Sequence, residues 1–201
     1  MRKVDPEKYE AKKRQILDAA VTCFAKSGFH KTTTAEICAE AQMSPGNLFH
    51  YFKTKNAIIE AIVERDRHET AEFHEKAGQA EDLFEEICKL MEERLIKVAE
   101  PIYRQIGIEI LAEAMRNPAI GRLAARCDAE ANAALIDLLK KAAARGQIDA
   151  SLDMNKLVTW IAAMIDGAFG RAALDPHFDP IDQGPALREI LTRLLKPTVK
   201  R

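Results

Sequence analysis

One short stretch of the sequence holds most of the side chains that could do chemistry. Ser44-Pro45-Gly46-Asn47 reads as a helix start, with Ser44 suited to the N-cap and Pro45 to the first helical position. The unpaired amides behind such a cap, at the positive end of the helix dipole, suit a phosphate. The Asn47 side chain can pair bidentately with an adenine edge. His50 and Tyr51, a turn further on, can reach bases or phosphates. Lys55 opens another helix, where the dipole disfavours a cation, and a phosphate would offset that cost. Thr33 and Thr34 offer hydroxyls to the same end, although capping alone accounts for Thr33. Lys31 and Lys53 flank the group and would attract a polyanion without specificity. The bland alternative is that all of these are solvated cap and surface residues.

Elsewhere the chemistry thins out. His68 and His74 lie among Glu64, Glu69, Glu72 and Glu75, but the chain has no Glu-x-x-His pair of the kind that binds metals in helical bundles. A solvated charged helix is expected there rather than a metal site. Cys23, Cys38, Cys88 and Cys127 show no CxxC or Cys/His spacing, so a reduced chain without disulfides or structural zinc is expected. Nucleophile-elbow, P-loop and dinucleotide-binding motifs are missing. These patterns predict no catalytic residues, no cofactor and no metal.

The elements that must position these residues are helices. Of 201 residues, 47% are hydrophobic and 30% charged, and only nine are Gly and eight Pro, too few for a turn-rich all-β fold. No uncharged run approaches 18 apolar residues, so no membrane span is expected. Met1-Arg2-Lys3-Val4-Asp5-Pro6 leads into no apolar segment, so no signal peptide is expected and a cytoplasmic location is. Residues 1–57 carry ten Lys/Arg against six Asp/Glu, +4, and the remainder twenty against twenty-five, −5. A basic quarter on an acidic remainder is compatible with a nucleic-acid-binding head.

Asp5 and Pro6 open a first helix with Ile16, Ala19, Ala20, Cys23 and Phe24 on one stripe, and Gly28 closes it. Thr33 and Glu36 form a capping box at the start of a short helix, and Ser44 opens a second short one bearing Leu48, Phe49 and Phe52. Thr54 caps a fourth helix over about residues 55–76. Two short helices so close together cannot bury themselves and need the first as a platform. A helix-turn-helix unit does this, and its second short helix enters a major groove. Further helices are expected over 82–99, 102–115, 118–145 and 154–174 and from 185 on, making nine with no strand. Trp160 and Met164 sit on a helix that is apolar nearly all round, and Leu187, Leu191 and Leu194 on a clean final stripe. A two-fold helical interface between subunits would bury both; a plain monomer core is the alternative.

These residues also carry a resemblance. Ile16 to Phe29, Thr33-Thr34-Ala35-Glu36-Ile37 and Ser44-Pro-Gly-Asn-Leu-Phe-His-Tyr-Phe-Lys-Thr-Lys55 resemble, in order and spacing without gaps, the DNA-binding head of the tetracycline-repressor family over roughly residues 10–60. The resemblance implies that Pro45, Gly46 and Asn47 face a DNA groove. It also implies a ligand cavity among the middle helices, for which Phe84, Met91, Tyr103, Ile106 and Ile110 are candidates; a filled core explains each of them equally well. Two positions depart from the family: Gln42 stands where Gly is usual, in a left-handed turn, and Phe49 where Tyr is usual, which removes a hydroxyl contact to phosphate. The expected fold is all-α, with a helix-turn-helix DNA-binding head over 1–54 and a ligand-binding and dimerisation domain over 55–201. The expected protein is a ligand-responsive transcriptional regulator, a repressor by preference. It binds a pseudo-palindromic operator as a homodimer and is released by a small, mostly apolar inducer. A constitutive DNA-binding regulator and a helical enzyme or metal carrier are the alternatives.

Overall fold

Most helices of the described residues begin where a side chain satisfies one of their first amides, whereas the last has no such cap. The computed structural model describes residues 5–196. Among them lie nine helices and no strand: α1 (Pro6–Ser27), α2 (Thr34–Glu40), α3 (Pro45–Tyr51), α4 (Lys55–Ala77), α5 (Leu83–Ala99), α6 (Pro101–Arg116), α7 (Pro118–Ala144), α8 (Met154–Leu174) and α9 (Gly184–Leu195). The Asp5, Thr33, Ser44, Asp82 and Asp153 side chains each accept from an amide of the first turn of α1, α2, α3, α5 and α8. Thr54 Oγ1 does the same for α4, accepting from Ala57 N at 3.0 Å. Each such cap is worth about 1 kcal/mol. Pro101, between two helices, starts α6.

The chain folds as two compact units. The first comprises residues up to Asp66 together with Gln105–Ala125. Its core joins Ile16, Ala20 and Phe24 of α1 to Ile37, Leu48 and Phe52, and closes with Ile58, Ile59 and Ile62 of α4 and Ile106 and Ile120 beyond. The α6–α7 corner belongs to this unit. A Cβ on Gly121 would stand 2.7 Å from the Ala114 carbonyl oxygen, so only glycine lets α7 turn back this closely. A division at residue 54/55 does not coincide with this unit. The apolar face of a three-helix head is too large to close on itself, and α4 and α6 supply the missing side chains.

The second unit comprises Arg67–Arg104 and the chain from Arg126 on. Leu83, Ile87, Leu90, Leu139, Ile161 and Leu191 are at its centre, all at most 5% exposed. Arg188 of α9 grips two carboxylates of α5 at once: Nη1 donates to Glu85 Oε2 at 2.7 Å and Nε to Glu92 Oε1 at 2.6 Å. These bonds hold the Glu85 carboxyl below the usual carboxylate range. Cys88 is buried here, and burial pushes its thiol up to about 11, so it packs as a small hydrophobe. Cys23 and Cys38 likewise have thiols raised by burial. The helix α8 is long and apolar enough, by length and composition alone, to cross a membrane. Its Leu157, Val158, Ile161, Ile165 and Ala168 are buried in the second core, as expected of a packed helix.

Candidate nucleic-acid interface

The α2–α3 pair is built from local bonds outward. The capping box closes fully: Thr33 N donates to Glu36 Oε2 at 2.6 Å and Glu36 N to Thr33 Oγ1 at 3.2 Å. The Thr33 amide thereby holds the Glu36 carboxyl below its usual range. At the end of α2, Met43 N reaches back to Cys38 O at 2.9 Å, which requires the residue between to turn left-handed. That residue is Gln42, with φ +51°, the only non-glycine of the described residues at positive φ. From α1, Gln15 Nε2 donates to Ala41 O at 2.8 Å and fixes the turn to the platform.

The turn aims α3. Leu48 and Phe52, 0% and 5% exposed, anchor it inward. Pro45, Gly46, Asn47, Phe49 and His50 are all exposed on its outer side. Ser44 Oγ accepts from Asn47 N at 3.3 Å, leaving the Asn47 side-chain amide free to point outward. Tyr51 is half-buried, its ring 4.8 Å from that of Tyr9 on α1. It therefore braces α3 as well as bordering its outer face. The predicted residues Ser44, Pro45, Gly46, Asn47, His50 and Tyr51 are thus gathered on one short helix.

Thr33, Thr34 and Lys55 stand differently. Thr33 Oγ1 donates to Glu36 Oε2 at 2.9 Å while accepting from Glu36 N, so capping occupies the hydroxyl. Thr34 is half-exposed at the first position of α2. Lys55 was expected to need a phosphate to offset its place at a helix start. The structure meets that need internally. Its ammonium donates to Phe29 O at 2.7 Å, Thr32 O at 2.9 Å and His30 O at 3.2 Å, and stands 4.5 Å from the centre of the Phe29 ring. Three donors meet three carbonyls, so Lys55 clamps the α1–α2 loop.

Two carboxylates of α6 hold the same loop. Phe29 N donates to Glu109 Oε2 at 2.9 Å, and a Cβ on Gly28, at φ +77°, would lie 3.3 Å from Glu109 Oε1. Glu113 is buried, with Oε2 2.9 Å from His30 Nε2, at ion-pair distance but without hydrogen-bond alignment. Sequence reasoning missed both. Their only signal was their i, i+4 spacing on α6.

The residues expected to line a ligand pocket are divided between the two units. Phe84 and Met91 belong to the second core, whereas Ile106 is buried in the first and Ile110 packs against it. The cause is that α6 is shared: its residues to Arg104 belong to one unit and those from Gln105 to the other. Tyr103 is half-buried on the second unit's side, its ring 6.0 Å from that of Phe169 and under the Lys97 ammonium. A polar group in the same unit was missed. Arg94 Nη2 donates to Thr70 Oγ1 at 3.1 Å, and the Thr70 carbonyl lies 2.8 Å from His74 Nδ1. His74 is buried, not part of a solvated face as expected; His68 is exposed. The periodicity Thr70, Phe73, His74, Ala77 was the available sign. Among the described residues no group of three or more His, Cys, Asp or Glu is placed to hold a metal ion.

The expected dimer residues also divide. Leu187 and Leu191, 8% and 0% exposed, are core of their own chain and cannot face a partner. Trp160 at 69% and Leu194 at 37% are exposed, and Met164 is half-buried. Ile190, on the same final stripe, is exposed as well, and so is Leu174 at the end of α8, which was not singled out from the sequence.

Comparison with known proteins agrees with this geometry. Residues 16–62 match the model of bacterial regulatory proteins of the tetR family, and residues 102–196 that of the C-terminal part of BetI-type transcriptional repressors. The chain is 30% identical over 148 residues to the HTH-type transcriptional regulator UidR of Escherichia coli K12, covering 72% of each. The solved structure of Salmonella enterica GusR is similar at a TM-score of 0.76 and 30% identity, over 92% of this chain and 95% of that one. A SmeT–triclosan complex shares the fold at a TM-score of 0.82 and 21% identity, over 94% of this chain and 93% of that one.

Proposed function

Because this chain belongs to the tetracycline-repressor family of DNA-binding transcriptional regulators, we propose that it is a cytoplasmic, ligand-responsive repressor. It binds a pseudo-palindromic operator as a homodimer and leaves it when a small molecule binds the second unit. The observation that carries the reading is α3. A helix with a satisfied N-cap, two inward anchors and an outward row of small and polar residues is what a major groove admits. The homodimer reading rests on the exposed apolar faces of α8 and α9. Gly167 and Gly170 of α8 have open space where a Cβ would stand, between Trp160 and Leu174, so a partner helix can come close. The effector reading rests on the second unit, where Tyr103, Arg94 and Thr70 offer polar groups beside an apolar core. A ligand there acts only through its differential affinity for DNA-bound and free forms, typically about 1–3 kcal/mol.

The test is selection from random duplex DNA. The expected outcome is an inverted repeat with half-sites about one helical turn apart or somewhat wider. Binding that is governed by salt alone and selects no sequence would overturn the reading. In a second arm, small molecules that raise the melting temperature are added to the operator complex. The expected result is release of DNA, and a stabilising ligand that leaves the complex intact would overturn the effector reading.

A further inference from the structure

We propose that Phe49 reads sequence, packing its ring on the C5-methyl group of one thymine in each half-site; this rests on the DNA-binding reading above. Phe49 is 41% exposed on α3, and no aromatic ring or cation stands over it among the described residues. At 100° per residue, Gly46 and His50 point directly away from the buried Leu48, with Phe49 on one flank and Asn47 on the other. Gly46, three residues before Phe49, has nothing within 4 Å of where a Cβ would be, so the helix is low beside the ring and the ring stands proud. Lys53 Nζ donates to the Phe49 carbonyl oxygen at 2.9 Å, which fixes the backbone from which the ring projects.

The chemistry then leaves one partner. A tyrosine here could bond a phosphate; phenylalanine can neither donate nor accept. The thymine methyl is the largest apolar group on the floor of the major groove; cytosine presents only a C5–H at the same place, and the remaining groups of the code are hydrogen-bond donors or acceptors. A phenyl ring pressed against the others desolvates them without return, whereas against the methyl it removes apolar surface from water on both sides. α3 thus divides the reading. Asn47 and His50 address polar edges on one side, and Phe49 addresses a methyl on the other.

The experiment replaces each thymine of the selected operator, in turn, by deoxyuridine, which removes the methyl group alone. Wild type and Phe49→Ala are titrated on every duplex. In wild type, one thymine position per half-site should lose about fourfold in affinity, the equivalent of one buried methylene. At that same position Phe49→Ala should lose nothing further, while binding the unmodified operator at least fourfold more weakly than wild type. Equal losses in the two proteins at every position would overturn the proposal, as would a wild type sensitive at no thymine. Should Phe49→Ala fail to fold, Phe49→Gln, which keeps helix propensity but presents no apolar face to the methyl, takes its place with the same expected and overturning results. Failure of the underlying reading looks different: wild type then selects no sequence before any deoxyuridine is introduced.

Discussion

Gln42 sits at φ +51°, a conformation that strains any residue with a Cβ by about 1 kcal/mol. Gln42→Gly relieves that strain but makes the unfolded chain more flexible, which returns part of the gain. A net stabilisation of roughly 0.5 kcal/mol is expected, and Gln42→Val should destabilise by about 1 kcal/mol because its branched side chain fits the turn worst. Urea melts of the three proteins should rank Gly above Gln above Val; Val at or above Gln would mean the turn is not left-handed in solution. Asn47 and Lys55 form a second contrast. Asn47→Ala should lose about 1–3 kcal/mol on the operator and relax one base position, since its side chain is free to meet a base edge. Lys55→Met removes the cation that three loop carbonyls share. It should lower stability by roughly 2 kcal/mol while leaving the salt dependence of DNA binding unchanged. A salt slope lower by about one unit would instead mark Lys55 as a phosphate contact.

At the scale of elements, the final helix shows both what was legible and what was not. Its apolar stripe was readable in sequence, as were the caps at Asp5, Thr33, Ser44 and Thr54, because caps and periodicity are local. Which edge of the stripe meets the chain's own body was not readable. Residues 187, 190, 191, 194 and 195 span an arc wide enough for two neighbours, and only the packing of α9 on α5, held by Arg188, and on the second core turns Leu187, Leu191 and Leu195 inward. This split makes a prediction. Leu191→Glu should unfold the protein, because an unpaired buried charge costs several kcal/mol. Leu194→Glu should leave helicity and melting cooperativity intact while shifting the protein from dimer to monomer in sedimentation. A Leu194→Glu, Trp160→Glu double variant that remains dimeric would place the interface elsewhere.

For the whole molecule, the sequence could not show how the long helices are shared. The first half of α4 and most of α6 complete the first core, so Ile106 and Ile110 went to one unit and Phe84 and Met91 to the other. Such a partition depends on contacts far apart in the chain, which no window of periodicity contains. His74 was misread for the same reason: glutamates surround it in sequence, but folding buries it. That burial gives the molecule a pH dependence with a definite sign. Burial disfavours the imidazolium and holds the His74 pKa below its ordinary value of 6.5; the Arg94 charge adds to this and the bond to the Thr70 carbonyl partly opposes it. In the window beneath 6.5 the unfolded chain therefore binds more protons than the folded one. Stability is full above that window and falls as pH drops through it. Glu85, whose carboxyl is lowered by Arg188, acts in the same direction, but only below about 4.5. Urea melts at pH 7.5, 6.5 and 5.5 should thus show wild type losing stability across a range where Glu85 stays silent, and His74→Gln losing less. An identical decline in the two proteins would mean that His74 takes up its proton without opening the fold.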